Sequence, residues 1–235
     1  MIYKIADLKV KFNNRYAFTD AFCKDYLCSE RDFDIEATVS EADILKEKTL
    51  SPSVTDGYAE NICLYRSLCG RLPYFDRFLL HSSVVEYNGK CYAFCGKSGA
   101  GKSTHSRLWL KNLPNAKILN GDKPIVYSNG FSFIVYGTPW RGKEGLGYNG
   151  KTELKGICFL EQSLKNSIKK LSFKDAARRI VNQVYFPNEA PAVEKTLDFC
   201  DSIISNVPCY LLCCDVSDEA FSLSFNALEG GLADE

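Results

Sequence analysis

The feature that most constrains this chain is the motif G-x-x-x-x-G-K-[S/T], which directly follows the apolar run 91–95. The motif consists of Gly96, Lys97, Ser98, Gly99, Ala100, Gly101, Lys102 and Ser103. Its glycines let backbone N–H groups turn inward around phosphate oxygens, while the lysine reaches the outer phosphates and the serine hydroxyl can ligate magnesium. The stretch beginning at Thr104 is typical of a helix whose positive end would face an anion. The motif predicts bound ATP or GTP with Mg²⁺, and a plain glycine-rich turn is the less favoured alternative.

The balance of charges argues against two classes of partner. The 235 residues include 29 basic and 29 acidic side chains, so the net charge is zero. A neutral chain is atypical of general nucleic-acid or membrane-surface binders. No apolar run approaches the roughly 18 residues that cross a bilayer, and the N-terminus lacks the pattern of a signal peptide. We therefore expect a cytoplasmic protein without nucleic-acid or membrane partners.

The chain contains eleven cysteines, an unusually large number for its length. No C-x-x-C pair typical of a zinc site occurs, and the odd total argues against a disulfide framework. Most of the cysteines lie in apolar runs such as 209–214, where cysteine behaves as a small hydrophobic residue. The pattern predicts buried free thiols, with metal or redox roles as the alternative.

Apolar alternation and capping residues predict the order of elements. In the first part, residues 8–12 and 33–39 alternate as strands do, and helices are expected from Ser40 through Lys48 and from Thr55 or Asp56 to about Arg71. Further along, strands are expected at 78–87, before the motif, and at 117–122, 124–127, 131–136, 156–160 and 209–216. Helices are expected at 172–185, 190–206 and 218–228, with a frayed tail from Gly230.

Four Asn-Gly pairs, at 88, 120, 129 and 149, favour antiparallel hairpins. A parallel-sheet nucleotide-binding domain would instead alternate strands with helices of about ten or more residues. We therefore predict an α+β fold, in which a β-rich mixed sheet carries the phosphate loop and helices pack around it. One compact body is expected, with residues 1–75 as a β/α extension packed on a nucleotide-binding domain of residues 76–235.

Asp122 is the best candidate for chemistry beyond binding, because it ends the first apolar stretch after the loop helix. A carboxylate there could hold the metal or accept a proton from an attacking hydroxyl. The alternative is that Asn120-Gly121-Asp122 is only a turn. His81 and His105 are the only histidines, and a lone histidine is more often structural than catalytic.

The run 138–145 combines glycines, two cations and a carboxylate in a short, turn-prone segment. Its cations, Arg141 and Lys143, could neutralise charge on a transferring phosphoryl group. A solvated loop is the alternative. The position of Trp140 between a proline and an arginine favours a functional loop.

Residues 79–85, the Asn88-Gly89 turn, the motif 96–103 and Asn120-Gly121-Asp122 together resemble the catalytic domain of HPr kinase/phosphorylase. They look equally like the small ATP-dependent phosphoenolpyruvate carboxykinase-like proteins. The run 137–144 looks like a motif of the small bacterial members, some of which accompany peptide-modifying enzymes. The resemblance covers residues 78–162, and it implies a phosphate loop set in a β-rich mixed sheet.

By this resemblance, Lys102 would bind the β- and γ-phosphates of ATP and Ser103 the Mg²⁺ ion. Asp122 would be a metal ligand or general base, His81 would tune Asp122 or the substrate hydroxyl, and Arg141 or Lys143 would clamp the γ-phosphate. The implied function is an ATP- and Mg²⁺-dependent kinase acting on a hydroxyl, either a peptide or protein serine or a small metabolite.

The chain also departs from the family it resembles. Gly121-Asp122 stands where HPr kinases usually carry two adjacent aspartates, and no HPr-docking segment is identifiable. Because of these departures, a second interpretation remains: a non-catalytic, ATP-binding accessory protein of a peptide-modification or transport system. A phosphoenolpyruvate carboxykinase activity is a distant third, because decarboxylation needs groups that the sequence does not reveal.

Overall fold

A computed structural model describes residues 1–230. Its first elements are β1 (Ile2–Ile5), β2 (Leu8–Phe12), α1 (Phe18–Phe22), β3 (Ile35–Ala37), α2 (Glu41–Leu50) and α3 (Asp56–Arg71). Next come β4 (Arg77–Leu79), β5 (Ser82–Tyr87), β6 (Lys90–Cys95), α4 (Lys102–Asn112), β7 (Lys117–Asn120), β8 (Ile125–Ser128) and β9 (Phe133–Tyr136). The last are β10 (Lys151–Gln162), β11 (Ser167–Lys170), α5 (Phe173–Ile180), α6 (Ala190–Asn206), β12 (Cys209–Cys214) and α7 (Asp218–Gly230).

Strand β10 organises the larger sheet, because it is 12 residues long and has three partners. One edge pairs in parallel with β6 through residues 153–159. The opposite edge is shared, since residues 151–153 pair antiparallel with β9 and residues 157–162 pair in parallel with β12. A strand has only two hydrogen-bonding edges, so the sheet forks at β10. The fold is α+β with a mixed sheet, as expected from the sequence.

One branch of the sheet curls back on itself. Residues 77–79 of β4 pair with residues 125–127 of β8, and residues 84–86 of β5 pair with residues 117–120 of β7. Between these ladders, the N–H groups of Leu80 and Ser82 donate to the carbonyls of Pro124 and Asp122 at 3.2 and 3.1 Å. The segment that contains β4 and β5 and the segment that contains β7 and β8 are therefore interrupted at the same level of the sheet.

Two hydrophobic clusters pack on the faces of this sheet. One joins sheet residues such as Phe78 and Phe133 to Ile180 of α5 and Phe199 of α6. The other joins Tyr92 and Phe94 of β6 to Trp109 of α4 and to Ala220 and Ala227 of α7. The indole N–H of Trp109 also donates to Ser224 Oγ at 3.0 Å. Helix α4 is thereby fixed against α7 and the sheet.

A third cluster joins the N-terminal elements to the rest of the chain. The three-stranded sheet β1-β2-β3 and helix α3 contribute Tyr3, Phe12 and Tyr65, and the later strands contribute Leu79 and Ile125. Helix α2 begins with the expected capping box of Ser40 and Asp43, and Thr55 caps α3 by accepting from the N–H of Tyr58. The division of the chain at residue 75 stays a prediction.

The structure corrects the expected strand at 78–87, which is two strands separated by Leu80 and His81. The apolar run is continuous, but its hydrogen bonds change partner at this point. The N–H of His81 donates to the carbonyl of Gln183 at 2.6 Å instead of joining the ladder. This exchange is a tertiary effect that no local pattern records.

Two of the four Asn-Gly pairs do not form hairpins. Asn88-Gly89 joins β5 to β6, and Asn129-Gly130 lies in the loop between β8 and β9, as expected. Asn120-Gly121 instead follows β7, which pairs with β5 and not with β8, and Asn149-Gly150 leads into β10 from a long loop. The side chain of Asn120 accepts hydrogen bonds from backbone N–H groups of the turn that follows, so the chain does not reverse into a hairpin here.

Other boundaries differ from the expectations. The helix expected at 172–185 ends at Ile180, because the N–H of Tyr185 donates to Leu79 O at 3.2 Å and Val184 bridges to Leu80. The strand expected at 33–39 is confined to Ile35–Ala37. Of the expected frayed tail, Gly230 is the last residue of α7 and the rest lies outside the described residues.

The thiols agree with the expectation of buried free cysteines. All eleven cysteines are free and nine are buried, with Cys28 and Cys213 partly exposed. Within residues 1–230, no helix has the length and apolar character needed to cross a membrane.

Candidate functional site

Most of the site residues predicted from the sequence line one cleft of about 510 Å³, whereas Gly96, Lys97 and Ala100 of the motif do not line it. Strand β6 ends at the phosphate loop, defined here as residues 96–103, and α4 begins inside it. The cleft brings the loop together with the break between β4 and β5, the turn after β7 and the segment before β10. Its predicted site residues are His81, Ser98, Gly99, Gly101, Lys102, Ser103, Thr104, Asp122, Arg141 and Lys143.

Lys102 is held at the floor of the phosphate loop. Gly101, the residue before α4, has φ +98°, a left-handed conformation that favours glycine, and the chain there turns sharply into the helix. The buried Lys102 ammonium donates to Gly96 O at 2.8 Å and Lys97 O at 3.3 Å. Burial lowers the pKa of Lys102, although the nearby charge of Asp122 opposes this shift. A phosphate group beside the ammonium would favour its charged form and raise this pKa.

The backbone of the phosphate loop has open donors. Ala100 N–H bonds to Lys97 O at 3.0 Å and Gly96 N–H to Gln183 Oε1 at 3.1 Å. Within residues 1–230, nothing accepts from the N–H groups of Lys97, Ser98, Gly99 and Gly101. Together with the first amides of the 11-residue helix α4, these open donors have an arrangement typical of anion sites in proteins. The phosphates of a nucleotide fit this donor set.

His81 and Asp122 form a pair opposite the loop. His81 Nε2 lies 3.1 Å from Asp122 Oδ1. Each residue lies at the interruption of its own strand segment, where the Ser82 N–H still donates to Asp122 O. The matched breaks leave both side chains free of the regular pleat and directed into the cleft that they line.

Asp122 is ionised and surrounded by cations. Burial alone would raise its pKa, but the hydrogen bond with His81 and the charges of Lys123, His81 and Lys102 outweigh it and lower the pKa. Lys123 Nζ lies 3.7 Å from Asp122 Oδ2. A carboxylate in this state can ligate a divalent cation or orient a hydroxyl.

Asn120 holds the turn that presents Asp122. Its Oδ1 accepts from the N–H groups of Asp122 and Lys123 at 2.9 and 2.8 Å. Its Nδ2 donates to Thr138 O at 3.2 Å and Thr138 Oγ1 at 3.0 Å. Asn120 is fully buried, so all of these bonds are sheltered from water. The sequence identified it only as a turn residue, whereas the structure makes it a positioning residue.

The second aspartate of the resembled family has no room in this chain. A Cβ atom on Gly121 would lie 2.7 Å from Arg141 O and 3.2 Å from Leu146 O. The Gly121 N–H donates to the same Leu146 carbonyl at 3.0 Å. The segment 141–146 thus packs against the turn and requires glycine at this position. Glycine at 121 is a consequence of local packing.

The two candidate phosphate clamps differ in their surroundings. Arg141 Nη2 lies 3.5 Å from Asp25 Oδ2, so its charge is partly compensated by the N-terminal segment. Lys143 is exposed and, among the described residues, pairs with no carboxylate. Glu144 pairs with Arg107 of α4 at 3.0 Å and ties this loop to the helix. Lys143 is therefore the more available cation.

Trp140, whose position in the sequence favours a functional loop, is itself a packing residue of that loop. The indole is buried in the N-terminal cluster, 4.6 Å between ring centroids from Tyr65, and its N–H donates to Asn61 Oδ1 at 3.1 Å. Trp140 does not line the cleft. It anchors the loop that carries Arg141 and Lys143.

Gln183 is a site residue that the sequence did not indicate. Its side-chain Oε1 accepts from Gly96 N–H at 3.1 Å, and its backbone oxygen accepts from His81 N–H at 2.6 Å. One residue thus joins the start of the phosphate loop to the histidine of the pair. The contact spans 87 positions in the chain, and a glutamine after a helix carries no local signal of it.

His105 is structural, as a lone histidine usually is. It is buried, its Nε2 lies 2.9 Å from Ser224 Oγ, and burial lowers its pKa to about 4. Ser224 Oγ donates to Phe221 O and accepts from Trp109, so His105 Nε2 is the donor in their contact.

The donor set is compatible with magnesium held largely by a nucleotide. Ser103 and Asp122 line the same cleft and offer a hydroxyl and a carboxylate. In the described part of the chain, no group of three or more His, Cys, Asp or Glu side chains could hold a metal ion. Mg²⁺ commonly takes one or two protein ligands and completes its shell with phosphates and water. The roles of these residues stay predictions.

No protein-family model matches this sequence, and no curated protein matches it either. Among solved structures, the HPr(Ser) kinase/phosphatase from Coxiella burnetii is similar to this chain, with a TM-score of 0.33 and 10% sequence identity. The match covers 63% of this chain and 94% of that one. The function of this chain therefore has to be inferred from its cleft.

Proposed function

We propose that this chain is an HPr kinase-like phosphotransferase that uses ATP and Mg²⁺ to phosphorylate a hydroxyl. The observation that carries the proposal is the His81–Asp122 pair, 3.1 Å apart, in the same cleft as Lys102 and Ser103 of the phosphate loop. A phosphate loop alone supports binding. An ionised carboxylate oriented by a histidine beside it supports proton transfer from an acceptor hydroxyl.

Each group has a definite part in the proposed reaction. When bound, ATP supplies the phosphoryl group, and Lys102 with the loop amides holds its outer phosphates. Asp122 orients the acceptor hydroxyl and takes its proton as the new oxygen–phosphorus bond forms and the bond to the β-phosphate oxygen breaks. His81 holds the carboxylate in place, and Lys143 neutralises charge on the transferring group. The products are ADP, the phosphorylated acceptor and a proton released to water.

A second cavity supports a route for the acceptor. It has a volume of about 1110 Å³ and adjoins the first one, sharing His81, Ser98 and Gly99 with it. Its wall carries three cations, Lys97, Arg178 and Arg179, and one carboxylate, Glu161. An acceptor in this cavity would bring its hydroxyl past His81 toward Asp122 in the first cavity. A peptide or protein serine and a small hydroxylated metabolite are both compatible with it.

The test is transfer of labelled γ-phosphate from ATP to a panel of serine peptides and small hydroxylated metabolites, with the Asp122→Asn variant beside the wild type. We expect transfer by the wild type, and for Asp122→Asn we expect unchanged ATP affinity with turnover lower by about 100-fold or more. Equal turnover by the two proteins would contradict the role of Asp122. ATP binding without transfer to any acceptor would favour the second candidate.

That second candidate is a non-catalytic, ATP-binding accessory protein of a peptide-modification or transport system. Gly121 favours it, because a single aspartate then stands where the resembled family has two. Tight ATP binding with the γ-phosphate intact after prolonged incubation would support it. Phosphoenolpyruvate carboxykinase activity stays a distant third, and formation of phosphoenolpyruvate from oxaloacetate and ATP would be its test.

A further inference from the structure

A third cavity borders the phosphate loop, on the side away from the His81–Asp122 pair. Its volume is about 450 Å³, and Gly99, Ala100, Gly101 and Thr104 form the wall that it shares with the loop and the start of α4. The remainder of its wall comes from the next turns of α4 and from the segments that follow β10 and β12. The mechanism proposed above makes no use of this cavity.

The third cavity is apolar where the other two are charged. Leu108, Leu164, Cys214 and Val216 line it, and Asp215 is the one ionised side chain in its wall within the described residues. Leu164 is fully exposed and Val216 is 70% exposed, so neither side chain contributes to a core. An apolar cleft of a few hundred Å³ with few polar groups is typical of sites for flat, uncharged ligand moieties.

We infer that this cavity, here called the base pocket, seats the purine base of the nucleotide whose phosphates lie in the loop. The inference rests on the proposed function. The reacting phosphate must lie near Asp122 and His81. Asp122 lines the first of the cavities described above and His81 the first and second, whereas the base pocket contains neither residue. The nucleoside must leave the loop in another direction, toward the base pocket.

The position of the base pocket in the sheet agrees with this direction. Strands β10 and β12 run parallel to β6, so their carboxyl ends lie at the same edge as the phosphate loop. Ligands of α/β sheets commonly bind outside the carboxyl ends of parallel strands. Gln162, at the end of β10, also donates from Nε2 to Gly99 O at 2.8 Å, which joins the base pocket to the loop. Leu164 and Val216 would lie against the faces or edge of the purine.

Inorganic tripolyphosphate makes the inference testable, because it has the phosphates of ATP without the base. The double variant Leu164→Ala/Val216→Ala removes apolar groups that support no core. We expect it to bind ATP about tenfold more weakly than the wild type does, and to bind tripolyphosphate equally well. Phe131→Ala is the matched control, since Phe131 is an 84% exposed apolar residue in the β8–β9 loop. Calorimetric titration of the full chain measures all of these affinities.

Unchanged ATP affinity in the double variant would overturn the inference, and so would an equal loss of affinity for ATP and tripolyphosphate. A wild-type chain that bound neither ligand would overturn the proposed function and the inference together. A wild type that bound both ligands with the same affinity as the double variant would overturn only the inference. As a second measurement, ATP carrying a photoreactive azide on its purine should label peptides with residues 162–164 or 214–216. Labelling confined to residues 178–183 or 141–146 would contradict the base pocket.

Discussion

His81 Nε2 and Asp122 Oδ1 lie 3.1 Å apart at the point where two paired strand segments are both interrupted. In a continuous ladder, successive side chains along each strand alternate between the two faces of the sheet. The side chains of His81 and Asp122 could therefore not reach each other in this way without the interruption. The double interruption thus creates the pair, and the Gln183 carbonyl supports it by accepting from His81 N–H at 2.6 Å.

Removal of His81 should alter the pH dependence of turnover. Its hydrogen bond helps to hold the pKa of Asp122 below the usual range, so His81→Ala should raise that pKa. We expect the acid limb of the kcat profile to move to higher pH, with turnover lower by about 10- to 100-fold and ATP affinity nearly unchanged. Rate measurements from pH 3 to 8 on both proteins provide the check. An unmoved acid limb would mean that the contact has no influence on Asp122.

Loss of the Lys102 ammonium should weaken nucleotide binding strongly. Lys102→Ala removes the buried cation beside the open loop amides, and we expect ATP to bind at least about 100-fold more weakly. Lys111→Ala, at the other end of α4, is the control, because its exposed pair with Asp218 contributes little. Titration with ATP measures both. Similar affinities for the wild type and Lys102→Ala would refute the site.

Restoring the aspartate pair should fail in this fold. The Cβ of Gly121→Asp would lie 2.7 Å from Arg141 O, so the segment 141–146 would have to move. We expect a loss of about 1–3 kcal/mol in the free energy of unfolding and no gain in turnover. Gly70→Ala, in α3 with nothing within 4 Å of the added Cβ, should be neutral or slightly stabilising. Denaturant unfolding of both variants tests the contrast, and higher turnover in Gly121→Asp would show that a metal ligand was missing.

The buried His105 should make stability depend on pH. Its pKa is about 4 in the folded chain and 6.5 in the unfolded one, so the unfolded chain takes up the proton first as the pH falls. Stability contributed by the neutral ring is complete above pH 6.5, declines below it and is lost by about pH 4, a total of about 3 kcal/mol. His105→Gln should lack this part of the decline. Unfolding measured at pH 7, 5.5 and 4 gives the difference between the two proteins, and parallel declines would exclude the effect.

Trp140 should affect the cleft only by packing in the N-terminal cluster, without contacting the nucleotide. Trp140→Ala removes a buried indole from the N-terminal cluster, and we expect a loss of about 3–5 kcal/mol in the free energy of unfolding. Trp140→Phe keeps most of the volume but loses the bond to Asn61, at a cost of about 1–3 kcal/mol. If Trp140 instead contacted the nucleotide, the Phe variant would lose ATP affinity without losing stability. Paired unfolding and binding measurements separate the two cases.

The sequence was informative where short-range chemistry decides the structure. The phosphate-loop motif, the caps at Ser40 and Thr55 and the Asn88-Gly89 hairpin each depend on a few adjacent residues, and the structure has a loop, two helices and a hairpin at these places. The position of Asp122 after an apolar stretch already made it a candidate, the resemblance implied a role for it and for His81, and the structure brings the two side chains together. The common interruption of the two strand segments could not be predicted, because the apolar run through Leu80 has no break in its pattern.

Contacts between distant parts of the chain account for the remaining differences. Gln183 reaches Gly96 across 87 positions, and nothing in the local sequence of either residue indicates the other. The packing role of Trp140 could not be predicted for a similar reason, since its partners Asn61 and Tyr65 lie on a helix far earlier in the chain. A tryptophan beside glycines and cations looks the same whether it contacts a ligand or a remote helix.

Trp140 and Arg141 are consecutive residues, yet the first is buried among N-terminal aromatic rings and the second lines the cleft. Asp25 also pairs with Arg141, so the N-terminal segment contributes to the electrostatics of the cleft without lining it. If the N-terminal segment were replaced by that of another protein, the replacement would have to provide both a pocket for the Trp140 indole and a carboxylate that pairs with the Arg141 guanidinium. We therefore expect substitutions in residues 1–75 and substitutions near the cleft to accompany each other in evolution.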